Sequence, residues 1–487
     1  MGLLDDRVWE GKIFSGSWVD GSGGTYAAVE PATGAELAQV GAASPSDVVK
    51  AAERAADAQR DWAQRPYDER ARVLRRAAQL FVEHADELND WIVRESGALR
   101  PFAEFQTLAV ASEECWEAAA LASAPYGEML RSHQDRLSMT RHLPVGVVGV
   151  ISPFNAPVIL SIRAVAPALA LGNAVVLKPD PRTAVCGGVA LARIFAEAGL
   201  PEGLLHVLPG GADVGEAVVV DPLIRVIAFT GSTRAGRAIA AAAGHHLKRV
   251  HLELGGNSAL VILDDADLEK AASTGAFGSF NHAGQICMAT SRHLVAATVA
   301  RDYVEALAEH AARLPVGDPA GGNVALGPLI DAKQRDNVHR VVTESLSDGA
   351  RLVTGGTYES LFYRPTVLAD VPLTAPAYAE EIFGPVAPVV TFDTLDEAAR
   401  LAAGTEYGLS LGILTRDVAK ALTLADRIPS GLVHINDQTV NDEAVAPFGG
   451  VGDSGTGARH GGTRANLEAF TETQWLTIRA EQPTYPF

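Results

Sequence analysis

Cysteine is scarce in this chain. Its 487 residues include three, Cys115, Cys186 and Cys287, far apart and odd in number. That excludes a disulfide framework and fits a reducing compartment. No Cys/His cluster has zinc-ligand spacing, so no metal is expected. Positive charge is also short: the formal net charge is −19. Such a chain repels nucleic acid and anionic membrane unless it carries a local basic patch, and "RHLPVG" and "HHLKRVH" are short and mixed. Neither partner is expected. The start, "MGLLDDRVWEGK", has acids where a signal peptide needs a basic head, and Asp6 breaks the myristoylation pattern. The longest apolar run, 158–177, is interrupted by Arg163, Pro167 and the Gly172-Asn173 pair. A buried helix, a turn and a buried strand account for it better than a membrane span does. Repeats and low-complexity tracts are missing, so nothing argues for disorder. The expectation is a cytoplasmic protein.

What is present is ordinary globular material. Hydrophobic residues make up 47% and charged residues 20%, enough for a large core without metal or disulfide. The length suits about three domains. The N-terminal third reads as helical and rich in Ala, Arg and Glu. "SPSDVVKAAERAADAQRDWAQ" offers Ser44 or Ser46 as N-cap, with Asp47 in the first turn. "GEMLRSHQDRLSMTRHLP" alternates around a polar centre and predicts a hairpin outside the main core. From 145, short apolar strands alternate with helices: "VGVVGVI", "AVVLKP", "LLHVLP", "IRVIAFTG" and "KRVHLELGG" are the strands. This predicts a parallel sheet covered on both faces. A second alternating block begins at "SALVIL", crosses the connector "PVGDPAGGNVALGPL", and ends with "APVVTF", "LSLGILT" and "LVHIN". The last segment, "TQWLTIRA", reads as a lone terminal strand suited to pairing, with another subunit as one candidate partner.

Several strand ends carry residues with chemical capacity. In "AFTGSTRAG" a strand runs into a helix through Gly231 and Ser232, which aims backbone N–H groups at a place where phosphate binds well. An ordinary turn is the plain alternative. "SPFNAP" lies past the end of a parallel strand, where ligands of open α/β sheets bind, and Asn155 there could donate to an oxyanion or simply make a turn. Lys178, in "VLKPDPRT", could reach a ribose hydroxyl or a phosphate, or be solvated. Glu253, in "HLELGGNS", sits between apolar residues and glycines. It is a candidate general base with a raised pKa, or one half of an ion pair. Cys287, in "GQICMAT", is a nucleophile or a buried small hydrophobe. A formal G-x-G-x-x-G, Gly450, Gly452 and Gly455, follows no clear strand and lies in no βαβ unit. With the overlapping "GDSG", which suggests a serine hydrolase, it reads as a glycine-rich loop.

Seven short motifs, "PFN", "LKP", "FTGS", "ELGG", "GQIC", "EEIFGPV" and "PFGG", occur in this order along the chain. Together they resemble the aldehyde dehydrogenase superfamily over essentially the whole length. The resemblance implies an α/β fold with two parallel-sheet domains, a Rossmann-like cofactor domain and a catalytic domain, plus a small β oligomerisation element. The implied boundaries are 1–124 with 144–253 for the cofactor domain, 254–464 for the catalytic domain, and 125–143 with 465–487 for the bridging element. It implies Cys287 as nucleophile, Asn155 as oxyanion donor and Glu253 as the base that activates water. Cofactor contacts are implied for Ser152, Pro153, Lys178, Phe229, Gly231, Ser232, Leu254, Glu381 and Phe383. A homodimer or homotetramer is implied too. Many NAD-preferring members carry a glutamate three residues after the lysine; here that place holds Pro181, with Arg182 beside it. The expectation is that NAD is used and NADP tolerated. "LKPDPRTAVCGG", "GLSLGILTRD" and "HINDQTVNDEA" resemble the bacterial benzaldehyde and vanillin dehydrogenase branch. Ala156, Leu160, Ile286 and Met288 are the implied pocket positions, small or apolar as a flat ring requires. Arg163 could instead face an anionic semialdehyde, or pair structurally. A semialdehyde or aliphatic dehydrogenase and a non-catalytic scaffold stay open as alternatives. A CoA-acylating enzyme is disfavoured because Glu253 is present to activate water.

Overall fold

A computed structural model describes residues 2–487. Five of the strands expected from the alternating pattern form one parallel array. Across the sheet they run Arg249–Glu253, Ile224–Thr230, Val147–Ile151, Ala174–Lys178 and Leu205–Val207. The array is buried on both faces, which is why its strands read as continuous Val/Ile/Leu runs. Val147–Ile151 is central. The chain builds outward from it in one direction through 174–207, then returns to build the other side through 224–253. This reversal makes a topological switch point beside Val147–Ile151, and the crevice at the carboxyl ends of the strands is where such sheets bind ligands.

The 158–177 run resolves into a buried helix, Pro157–Ala170, and the strand Ala174–Lys178, as its interruptions predicted. Pro45–Trp62 is helical with Ser44 at its N-cap, and Asp47 Oδ2 accepts the Ser44 N–H at 2.9 Å. The N-terminal third is not simply helical, however. Lys12–Ser15 and Trp18–Asp20 extend the first sheet antiparallel, and Thr25–Val29 pairs with Glu36–Gly41. These strands are three to six residues long and largely half-exposed. They carry no long apolar run of their own; the first of them pairs with both Trp18–Asp20 and Leu205–Val207.

The second sheet runs Arg351–Thr354, Thr366–Ala369, Val386–Phe392, Thr290–Ala296, Ser258–Ile262, Ser410–Leu414 and Leu432–Ile435. It is parallel except at Arg351–Thr354. Each sheet has its own hydrophobic core, and the chain passes from one to the other through residues 254–257. The terminal strand Thr471–Ile478 pairs antiparallel with Leu137–Pro144 of its own chain. Among the described residues, no helix is long and apolar enough to cross a membrane.

Candidate active site

The switch point opens into a cavity of about 420 Å³. All nine residues to which the sequence assigned cofactor contacts line it: Ser152, Pro153, Lys178, Phe229, Gly231, Ser232, Leu254, Glu381 and Phe383. The first seven lie at or just beyond the ends of parallel strands, so the sheet itself brings them together. Ser232 is the N-cap of Thr233–His245, which turns that helix's N-terminus toward the crevice, where backbone N–H groups favour an anion. Lys178 is nine-tenths buried, and no carboxylate pairs with it among the described residues. Burial lowers its pKa. Glu381 is half-buried, accepts the Gly256 N–H at 3.1 Å and is pushed up to about 7 by desolvation. A side chain at Gly255 would run into the Glu381 carboxylate, so that glycine keeps the crevice open. A nearly buried cation, a helix N-terminus and a carboxylate around one elongated crevice fit a dinucleotide.

Cys287 also lines this cavity, beside Asn155 and Leu160. Its loop is tightly specified. His282, Ala283 and Gly284 all take left-handed backbone angles, with φ of 49°, 52° and 70°. Two of the three are not glycine, which is strain of the kind that clusters at functional sites. A Cβ on Gly284 would collide with the Gly384 carbonyl, so the "GQIC" and "IFGP" motifs touch each other. Gln285 is fully buried. Its Oε1 accepts the Ile330 N–H at 2.9 Å and its Nε2 donates to the Pro328 carbonyl at 3.3 Å. Each letter of "GQ" therefore has a mechanical reason, and the two together hold the cysteine still. Phe383 is likewise left-handed, at φ 52°, and Gln334 Nε2 donates to its carbonyl at 2.8 Å. Gln334 and Asn337 line the cavity too. The sequence reading missed both, because a helix surface pattern around 332–347 does not tell which face meets a ligand.

The residues 18–476 match the aldehyde dehydrogenase family. The chain belongs to that family. It is 64% identical over 487 residues, the whole of both chains, to a vanillin dehydrogenase of Amycolatopsis sp.. It is 49% identical over 484 residues, 99% of each chain, to a benzaldehyde dehydrogenase [NAD(+)] of Pseudomonas putida. The crystal structure of a salicylaldehyde dehydrogenase from Pseudomonas putida G7, complexed with salicylaldehyde, superimposes with a TM-score of 0.94 at 36% identity, covering 98% of this chain and 99% of the other. The protein is thus an NAD(P)-dependent aldehyde dehydrogenase with the two-sheet α/β fold expected from its motifs.

The charges around Cys287 in this aldehyde dehydrogenase are buried and interdependent. Glu253 ends the strand Arg249–Glu253, and neither of its carboxylate oxygens has a hydrogen-bond partner. Burial pushes it up to about 8, against the pull of Arg163 and Arg459. The Cys287 thiol is pushed up to about 12, chiefly by burial and then by the Glu381 charge, with Arg163 opposing. Arg163 sits on Pro157–Ala170 and is ion-paired with Asp442, its guanidinium 4.5 Å from the Phe448 ring centroid. The sequence left open whether it faces an anionic substrate or pairs structurally; the pairing is what the fold makes. Cys115 and Cys186 are buried elsewhere, and burial raises both thiols well above the ordinary range.

Two further expectations change. Arg182 is not free to attract a phosphate. It is bidentate to Asp180, at 2.9 and 2.8 Å, donates to Asp331 at 2.7 Å, and lies 4.2 Å from the Phe154 ring centroid. Asp180 lines the cavity, so the carboxylate that Pro181 lacks is supplied one residue earlier. Of the four pocket positions, Leu160 reaches the cavity. Ala156 packs with Leu160 in one small apolar cluster, and Ile286 and Met288 in another beside Cys287. Phe102 touches both clusters. It also lines a second cavity of about 620 Å³, with Phe105, Phe277 and Val440. Phe102 was invisible to motif reading because it comes from a helix far away in sequence. Ser454 of "GDSG" is fully buried; its Oγ accepts the Gly408 N–H and its carbonyl accepts the Leu254 N–H. The glycine-rich loop therefore seals the end of the Glu253 strand, a structural role.

Proposed function

We propose that this enzyme oxidises an aromatic aldehyde to its carboxylic acid, with Cys287 as nucleophile and NAD as the preferred acceptor. The observation that carries the reading is the position of Cys287. It faces the dinucleotide crevice beside Asn155, while its apolar neighbours meet Phe102, whose other side faces a separate phenylalanine-lined cavity. Three phenylalanines on the wall of that cavity suit a flat ring. The vanillin, benzaldehyde and salicylaldehyde dehydrogenases to which the chain is similar support the same class.

Cys287 Sγ attacks the carbonyl carbon. Its thiol is protonated at neutral pH in the resting site, so as the carbon–sulfur bond forms the S–H proton passes to the Glu253 carboxylate, which returns it to solvent before hydrolysis. The thiohemiacetal oxyanion is held by the Asn155 side-chain amide and the Cys287 main-chain N–H. The nicotinamide, when bound, supplies the hydride acceptor for oxidation of this adduct to the thioester. Ser152, Pro153, Phe229, Gly231, Ser232 and Leu254 would form its crevice, Lys178 would donate to the adenosine ribose, and Glu381 and Phe383 would steady the nicotinamide end. Glu253 then takes a proton from water, which attacks the thioester carbon and expels the Cys287 sulfur. Along the crevice Arg182 is held by Asp180 and Asp331 while Lys178 has no carboxylate partner, so a 2′-phosphate would meet the Asp180 carboxylate and one unpaired cation. NADP is therefore accepted, less well than NAD.

The first sheet, from 1–124 and 144–253, acts as the cofactor domain and 254–464 as the catalytic domain. The ribbon within 125–143 and 465–487 exposes Met129, Leu137, Trp475 and Ile478, which suits burial between subunits of a homodimer or homotetramer. The three unpaired cysteines suit the cytoplasm. A semialdehyde acid is the second reading, and Arg163 is its one support; the Asp442 partner weakens it. The deciding experiment is nicotinamide reduction with benzaldehyde, vanillin, succinic semialdehyde and acetaldehyde, each with NAD and NADP, beside Cys287→Ala. Fast turnover of the aromatic aldehydes with NAD, lost in the variant, is expected. Activity that survives in Cys287→Ala, or is confined to succinic semialdehyde, would overturn the proposal.

A further inference from the structure

A buried carboxylate without hydrogen-bond donors needs a nearby cation to stay ionised. Glu253 is 3% exposed and has no donor to either oxygen. Four groups face it from the surrounding elements. Arg163 comes from Pro157–Ala170, Asp442 from the segment after Leu432–Ile435, Cys287 from the nucleophile loop, and Arg459 from the loop before Thr463–Phe470. Asp442 opposes ionisation. Arg163 is already paired with Asp442. Arg459 has no carboxylate partner of its own among the described residues. Its Nη1 donates to the carbonyls of Gly450, at 3.1 Å, and Ala458, at 2.9 Å, which fixes the guanidinium.

The geometry at Gly449 brings the two together. A Cβ built there would lie 2.8 Å from Glu253 Oε1 and 2.9 Å from Arg459 Cδ. Glu253 Oε1 and the Arg459 side-chain stem therefore both border the space that a side chain at Gly449 would fill. Arg459 is half-buried and also lines a separate cavity of about 500 Å³ behind the site, together with His251 and Pro447. We propose that Arg459 is a positioning residue for Glu253, its cationic side chain holding the carboxylate against the Gly449 backbone while the thioester is hydrolysed. This rests on the reading of Glu253 as the base. It touches no reacting atom, and its effect is confined to the second half-reaction.

The test compares Arg459→Met and Arg459→Lys with the parent enzyme in stopped-flow NADH formation from benzaldehyde between pH 6 and 10. Removing the cation makes Glu253 harder to ionise, so the acidic limb of steady-state turnover moves to higher pH by about one unit in Arg459→Met. Below that limb, turnover falls about tenfold. The initial NADH burst keeps its rate, because it precedes hydrolysis, and Arg459→Lys restores the parent profile. An unmoved limb in Arg459→Met, or equal loss of burst and turnover that lysine does not rescue, would overturn the role of Arg459. Glu253→Gln, run alongside, separates the two ideas. Full turnover in Glu253→Gln sinks Glu253 as the base. A stalled turnover there beside an unaltered Arg459→Met sinks Arg459 alone.

Discussion

Burial of Glu253 has a consequence for stability that is independent of any substrate. An exposed glutamate titrates near 4.3, whereas Glu253 in the folded enzyme is pushed up to about 8. Between those values the native state holds a proton that the unfolded state has released. The slope of unfolding free energy with pH is set by protons bound unfolded minus protons bound native, so it is negative here, about 1.4 kcal/mol per pH unit. The stabilisation from this group is complete below pH 4 and is lost as pH rises toward 8. Between pH 6 and 9 the folded enzyme loses roughly 3 kcal/mol through Glu253. Glu95, Glu114 and Glu381 are also raised, to about 7, 8 and 7, so the total pH dependence is larger and must be differenced. The assay is urea unfolding of the parent and Glu253→Gln at pH 6 and pH 9. The glutamine keeps the shape and cannot ionise. Glu253→Gln is expected to gain on the parent by roughly 3 kcal/mol between the two pH values. Equal pH dependence in the two proteins would refute the buried, protonated carboxylate, and with it the physical basis for a base that works near neutral pH.

Two other changes probe the crevice and the nucleophile loop. Asp180→Asn removes a carboxylate and releases one partner of Arg182, so KM for NADP should fall about tenfold relative to KM for NAD; an unchanged ratio in initial-rate assays would show that Asp180 does not read the 2′ position. Gly284→Ala forces a side chain into φ 70° against the Gly384 carbonyl, so stability should drop by at least roughly 2 kcal/mol in thermal unfolding and kcat should fall with it; a variant with parental melting and turnover would show that the loop relaxes freely.

The alternating apolar segments from 145 to 435 were legible because strands buried on both faces must be continuously hydrophobic, and short turns leave few ways to connect them. The order of motifs marked the strand ends, and the strand ends line the crevice, so seven of the nine residues proposed to meet the cofactor lie there, with Glu381 and Phe383 opposite them. The short N-terminal strands were not legible, since Lys12–Ser15 joins the first sheet through Leu205–Val207, nearly two hundred residues later. The same distance in sequence hid Phe102, Gln334 and Arg459. Nor could sequence decide between roles that depend on partners. Arg182 carries the same charge whether free or clamped by Asp180 and Asp331, and Arg163 the same charge whether facing solvent or paired with Asp442. By itself the sequence determined the family, the strand-and-helix order and which residue types stand at the strand ends, because these follow from local periodicity and covalent order. The tertiary structure alone decided the charge each of those residues carries, the strain that fixes the cysteine loop and the walls of the phenylalanine-bearing cavity, because burial and Coulomb interaction depend on distance in space.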